Sequence, residues 1–270
     1  MTEAKRLRAA LLRGDVPPED GLLLWAADAA VETVRTRMTA PRLAVAVSGG
    51  SDSLATLVLL SALHPVEAVT VDHGLRPESA DEAAFVARFC AARGIAHSTL
   101  RWDGSGAQGN LMDAARRARF RLIGAWAQAR GIGAVALGHT GDDQAETFLM
   151  RLAREAGLEG LSGMRESFES GGVLWFRPFL SQTRAELRDH LQRQGIGWIE
   201  DPSNANERFD RVKARKALKV LAPLGIGVET LNAVAQNIAM TEGAVGGQKE
   251  APPLAIILGG ALGISLLLSP

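Results

Sequence analysis

The chain has 270 residues, 47% of them hydrophobic and 22% charged, with Lys+Arg and Asp+Glu equal at 30 each. That length and apolar fraction suffice for one sizeable core and a smaller appendage, and they exclude bulk disorder. Zero net charge gives a nucleic-acid partner no general support, so such a partner must rest on local clusters; the single cysteine, Cys90, excludes an internal disulfide, a Cys-x-x-Cys redox pair and a cysteine-rich metal site.

The opening Met-Thr-Glu-Ala-Lys-Arg lacks the apolar core of a signal peptide, and a cytoplasmic protein is expected. Gly21 to Met38 reads as a helix packed on the edge of the strand-and-helix core. Leu43 to Val47 is an apolar strand that empties into Ser48-Gly49-Gly50-Ser51-Asp52-Ser53, and a helix is predicted from Asp52 to Leu63. Ala68 to Val71, Ala96 to Leu100 and Ala134 to Leu137 are further strands, separated by helical sequence over Asp81 to Arg93 and from a cap at Asn110 through Arg130. Cys90 falls within the first of these helices as a buried structural thiol. Ser79 with Glu82 and Thr183 with Glu186 have capping-box spacing. Arg165 to Phe176, centred on Gly171-Gly172, predicts a hairpin; Arg184 to Gln194 predicts a helix, and from Arg211 onward the sequence is helical or irregular. This rhythm is that of an α/β fold, a parallel sheet of about five strands with helices on both faces and a small helical C-terminal region.

Ligands of such sheets bind beyond the carboxyl ends of the strands, and three polar loops fall there. In the first, paired glycines let the backbone approach an anion, the serines add hydroxyl donors, and the helix after them points its positive end at the same place. No Gly-Lys-Ser/Thr succeeds it, so this is not a Walker A loop; it resembles the pyrophosphate loop of enzymes that cleave ATP between its α and β phosphates. The second is Asp72-His73-Gly74-Leu75-Arg76, and the third runs from Gly138-His139 through Asp142, Asp143 and Glu146 to Thr147. A helix starting near Asp142 puts these carboxylates on one side of its first turn, which serves either helix capping or a cation. His139 either contacts a phosphate or bonds a loop. Arg116 and Arg119 lie one turn apart on their helix, as a solvated face would also have them. Glu200-Asp201-Pro202-Ser203-Asn204 is a turn that feeds Arg208, Arg211, Lys213, Arg215, Lys216 and Lys219, the best local candidate for phosphodiester contact beside the alternative of a solvated basic helix.

Taken together over roughly Pro41 to Leu221, these motifs resemble the tRNA(Ile)-lysidine synthase family, and Gly-His-x-x-Asp-Asp-Gln-Ala-Glu-Thr with Glu-Asp-Pro-Ser-Asn is more specific than the first loop alone. The resemblance implies an adenine-nucleotide α-hydrolase-like fold and a ligase that uses ATP, Mg²⁺ and L-lysine to convert the wobble cytidine of an isoleucine tRNA with CAU anticodon to lysidine, through an adenylated base. It implies nucleotide binding by Ser48, Gly49, Gly50, Ser51, Asp52, Ser53, His73 and Arg76, with Asp52 on the metal. Arg116 and His139 would stabilise the α-phosphate, Asp143 and Glu146 would receive the lysine ammonium groups, and Arg208, Arg211 and Arg215 would grip tRNA or nucleotide.

The organisation expected is an N-terminal helical segment over 1–40, a catalytic domain over 41–215 and a helical region over 216–270. Met112 stands where the family commonly has an acid, Phe120 where a tyrosine is usual, and Gly141 where an apolar residue is usual. Pro252 to Pro270 forms an apolar tail foreign to the family; Leu254 to Leu268 is short of the about 20 residues of a membrane span. No membrane partner is expected, and the ending reads as frameshifted or truncated. Competing functions are a sulfur-inserting tRNA enzyme, which needs more cysteines than Cys90, an ammonia-using synthetase, which has no use for the basic segment, and a non-catalytic nucleotide-binding protein.

Overall fold

Apolar residues alternate along the strands and supply two buried faces. Leu43, Val45, Ala134, Ala136, Leu174 and Phe176 belong to one core cluster, and Ala44, Val69, Val135, Leu137 and Trp175 to another. In a computed structural model, which describes residues 6–7, 9–10, 13–38, 41–104, 111–200 and 210–245, these strands form one sheet. The elements in chain order are α1 (Pro18–Arg37), β1 (Arg42–Ala46), α2 (Ser51–Leu63), β2 (Val66–Asp72), α3 (Ser79–Ala91), β3 (His97–Arg101), α4 (Leu111–Ala129) and β4 (Ile132–Leu137). After them come α5 (Gly141–Leu152), α6 (Leu158–Leu161), β5 (Ser167–Ser170), β6 (Val173–Phe176), α7 (Arg184–Arg193), α8 (Asp210–Leu221), a 3₁₀ turn (Ala222–Leu224) and α9 (Val228–Val245).

The chain divides into two compact units, Met1–Thr140 with Glu166–Asn204, and Gly141–Arg165 with Ala205–Pro270. In the first, the six strands are ordered β3-β2-β1-β4-β6-β5. The pairs β2–β3, β1–β2, β1–β4 and β4–β6 are parallel, giving the five parallel strands expected. A sixth, β5, is antiparallel to β6, because the hairpin read from Gly171-Gly172 joins the sheet rather than standing outside it. Both glycines have positive φ, 58° and 66°, the backbone a tight two-residue hairpin turn requires. One face is covered by α1, α2, α3 and α7, the other by α4 through Ile123 and Ala127. Helix α2 is buried almost all round, with Leu54, Leu57, Leu59 and Leu60 at most 1% exposed. Such a helix sits inside a core, and each of its leucines contributes about 1.5–3 kcal/mol by burial.

The capping box at Thr183 and Glu186 is present in full. The one expected at Ser79 and Glu82 is not: Glu78 is the N-cap, without a side-chain cap bond. Ser79 Oγ donates instead to the Arg76 carbonyl, and the Glu82 carboxylate is taken by the Arg76 guanidinium at 2.9 and 3.1 Å. A charge-assisted pair outcompetes a bond to one backbone N–H. The Asn110 cap lies outside the described residues.

In the second unit, Ala145 and Phe148 of α5 pack with Leu218 of α8 and with Leu231 and Ala235 of α9. The Gln144 side chain both donates to the Met164 carbonyl and accepts from its N–H, at 3.2 and 2.6 Å. Arg151 donates to the carbonyls of Gly160 and Gly163, fixing the turn after α6. Among the described residues no single helix is long and apolar enough to cross a membrane. The apolar tail and Asp201–Asn204 of the turn lie outside the described residues.

Candidate active site

The strand order reverses direction between β1 and β4, the switch point at whose carboxyl edge sheets of this kind bind ligands. Ser48–Ser53 succeeds β1 and Gly138-His139 succeeds β4, one on each side. The two loops are packed as closely as backbones allow. A Cβ on Gly138 would meet Ser53 Cα at 2.8 Å, Ser53 N at 2.9 Å and the Asp52 carbonyl carbon at 3.0 Å. Gly49, at φ 91°, leaves room for Ile199, whose Cδ1 lies 2.7 Å from where a Cβ would be, and its carbonyl accepts the Ile199 N–H at 2.9 Å.

Ser53 ties the loop to helix α2. Its hydroxyl accepts the Ser48 N–H at 3.1 Å and donates to the Gly50 carbonyl at 3.0 Å. At the N-cap of α2, Gly50 offers no side-chain cap bond, so the first N–H groups of the helix face the loop together with the positive end of its dipole. Two arginines of α7 reach the same loop: Arg184 Nε donates to Asp52 Oδ2 at 2.9 Å, and Arg188 Nε donates to Ser51 Oγ at 3.1 Å. Ser51 Oγ in turn donates to Asp52 Oδ1 at 2.8 Å. Asp52 fits the magnesium site expected of it in donor type: this ion takes one or two carboxylates and fills its remaining positions with water and phosphate oxygens. Among the described residues no cluster of three or more His, Cys, Asp or Glu side chains is arranged for a metal.

His139 accepts a hydrogen bond at Nδ1 from Arg177 Nε at 3.0 Å. A guanidinium only donates, so Nδ1 is unprotonated and the ring's proton sits on Nε2. Arg177 was missed by sequence reasoning, as were Arg184 and Arg188; a charged residue just past a strand and two arginines one turn apart on α7 were the available signals. His73, past β2, is edge-on to Trp102 with ring centroids 6.1 Å apart, and its Nδ1 is buried with no partner among the described residues. Burial, then the nearby Arg119 charge, pushes its pKa down to about 4 against a smaller opposing pull from Asp72, so the ring is neutral at pH 7. Arg116 and Arg119 lie in the first half of α4, while Arg76 is held by Glu82.

In the second unit, α5 and α8 bring Asp143 and Glu146 together with Arg211 and Arg215. Arg211 lies 2.8 Å from Asp143 Oδ1 and 3.5 Å from Glu146 Oε2; Arg215 Nε donates to Glu146 Oε1 at 2.9 Å. The Glu146 side chain is fully buried and that of Asp143 11% exposed, while the two guanidiniums are about one-third exposed. Two carboxylates and two guanidiniums thus neutralise one another, and the carboxylates form an anionic floor beneath partly accessible cations. Arg208 lies outside the described residues.

A PP-loop domain model matches residues 26–221. The tRNA(Ile)-lysidine synthase of Ruegeria pomeroyi is 53% identical over 203 residues, covering 73% of this chain and 48% of that protein. That of Rhizobium meliloti is 44% identical over 237 residues, covering 80% of this chain and 52% of that protein, so the chain spans about half the length of these curated relatives. Among solved structures, a U34-tRNA thiolase from Methanococcus maripaludis superposes with a TM-score of 0.64 at 16% identity, covering 79% of this chain and 78% of that one, a likeness of fold. The loop after β1, its close packing on the Gly138-His139 loop and the match over most of the chain together place the chain in the PP-loop domain family.

Proposed function

We propose that the chain carries the catalytic part, over 41–215, of a tRNA(Ile)-lysidine synthase acting in the cytoplasm. The observation that carries this reading is the pairing, at one sheet edge, of a glycine-serine loop at an uncapped helix N-terminus with a histidine whose Nδ1 accepts from Arg177 and whose proton is therefore on Nε2. The names of relatives at 44–53% identity support the substrate class.

ATP lies with its β and γ phosphates against the amides and hydroxyls of Ser48–Ser53, flanked by His73 and Arg76. The C2 carbonyl oxygen of the wobble cytidine, in an isoleucine tRNA with CAU anticodon, attacks the α-phosphorus. The bond to the β-phosphate oxygen breaks, and pyrophosphate leaves with the adenylated base formed. His139 Nε2–H and Arg116 stabilise the charge that gathers on the α-phosphate oxygens. Mg²⁺ on Asp52, when bound, offsets the charge of the departing pyrophosphate. The ε-amine of L-lysine then attacks C2 and AMP leaves. That amine titrates near 10.4, so it must shed a proton to react. Asp143 and Glu146 receive the lysine ammonium groups, exchanging an arginine contact for one with substrate, and one carboxylate accepts the proton. Arg208, Arg211 and Arg215 contact the tRNA or nucleotide phosphates.

The test is incorporation of labelled lysine into an isoleucine tRNA transcript by purified protein with ATP and Mg²⁺. Label in the RNA that requires ATP is expected. Pyrophosphate release driven by ammonia, or nucleotide binding without turnover, would replace this reading with a synthetase or a binding module.

A further inference from the structure

A groove of about 670 Å³ runs along the first unit between α4 and the β5–β6 hairpin. Its helical side carries Arg116, Arg117 and Arg121 and its hairpin side Phe168 and Arg177; among the described residues no acidic one lines it. In a chain whose basic and acidic residues balance at 30 each, four arginines with no carboxylate among the described lining residues are a local excess of positive charge. Arg117 and Arg121 are exposed and one turn apart, about 6 Å along the helix axis. At one end, Arg177 is the residue that holds His139; at the other, Gln128 Nε2 donates to the Gly171 carbonyl at 2.7 Å and ties the helix to the hairpin. From Arg116 to Gln128 the groove extends along about 18 Å of helix.

A second feature is independent of charge. Gly124 lies in the interior of α4 and lines the groove, although glycine there weakens a helix relative to alanine. Packing does not require it: an added Cβ would meet only Trp175 Cζ2 at 3.9 Å, an ordinary contact. The missing side chain keeps the groove deep.

We propose that this groove binds an unpaired stretch of the RNA substrate, its phosphates on Arg117 and Arg121, continuing from the nucleotide presented at His139. The proposal rests on the tRNA reading above. Guanidinium forks match phosphate oxygens, and a positively charged groove tracks a single-stranded backbone. A recess between one helix and one hairpin does not admit an A-form duplex, whose accessible groove is wide and shallow.

The experiment measures affinity of the full chain for an isoleucine tRNA transcript by fluorescence anisotropy across a salt series, for the wild type, Arg117→Ala/Arg121→Ala and Gly124→Ala, with ATP affinity in parallel. The double variant should bind the transcript about tenfold more weakly, its log–log salt slope reduced by about 1.4 for two single-strand phosphate contacts. ATP affinity should stay unchanged. Gly124→Ala should raise the melting temperature while weakening RNA binding, a combination that a purely structural position would not give. A folded double variant that binds the transcript with wild-type affinity and slope overturns the groove proposal, as does an equal loss of affinity for a fully paired RNA of the same length. A wild-type chain that fails to bind the transcript at all overturns the tRNA reading instead.

Discussion

The hydrogen bond from Arg177 to His139 Nδ1 selects one tautomer, and that choice decides whether the ring can donate to a phosphate. Arg177→Gln should lower kcat by up to about tenfold, the worth of one hydrogen bond, with little change in KM for ATP; an unchanged kcat and pH profile would remove Arg177 from the scheme. His139→Ala should cost about 10²–10³ in kcat with the fold intact, as loss of a charge-stabilising donor does elsewhere. His73 gives a prediction in stability. Its folded pKa, about 4, lies below the ordinary 6.5, so between those values the unfolded chain binds the extra proton. Its contribution is present above pH 6.5 and lost as pH falls toward 4, by up to about 1.4 kcal/mol per pH unit. His73→Gln should therefore flatten the acid limb of a denaturation-versus-pH curve relative to the wild type, and parallel curves would contradict this. Cys90, whose thiol burial pushes up to about 11, is the inert structural cysteine the sequence suggested. His139 and Arg177 both stand just outside a strand, but the pairing of the two was not legible, because they are distant in sequence and only the β4–β6 pairing brings them together.

Periodic elements were largely readable, since strands and helices carry their pattern locally. The four strands, the α2 segment, the Thr183 capping box and the two-glycine turn all appear within a few residues of where the sequence put them. Ser79 failed because a capping box is a competition among local partners, and Arg76, unseen by the motif, held Glu82. Contacts between elements were not readable at all. Gly138 is the clearest case: the motif named it, but only the structure presses it on the start of α2. Gly138→Ala should cost about 1–3 kcal/mol by overpacking and displace the Ser48–Ser53 loop, so that ATP binding falls more than stability alone explains. Wild-type ATP affinity would argue against that packing role. Between α5 and α8, Arg215→Ala removes a 2.9 Å charged partner of the fully buried Glu146 and should destabilise the chain by about 3 kcal/mol. Adding Glu146→Gln should recover part of that loss, and additive losses in thermal denaturation would deny the coupling.

At the scale of the whole molecule, the order β3-β2-β1-β4-β6-β5 determines where chemistry can occur, because its single reversal places the loops of β1 and β4 side by side. The fold class was legible in the alternation of strands and helices, whereas the antiparallel edge strand needed the observed pairing. About half the length of the curated relatives is represented here, with the family match over residues 26–221. The reaction proposed separates into an RNA-dependent and a lysine-dependent half. Products formed from ATP labelled in its α-phosphate are therefore to be tracked with an isoleucine tRNA transcript, first without lysine and then with it. Pyrophosphate and a labelled, adenylated RNA should form before lysine is added, and free AMP should appear afterwards; ADP as the product, or pyrophosphate release indifferent to the RNA, would contradict the proposed chemistry.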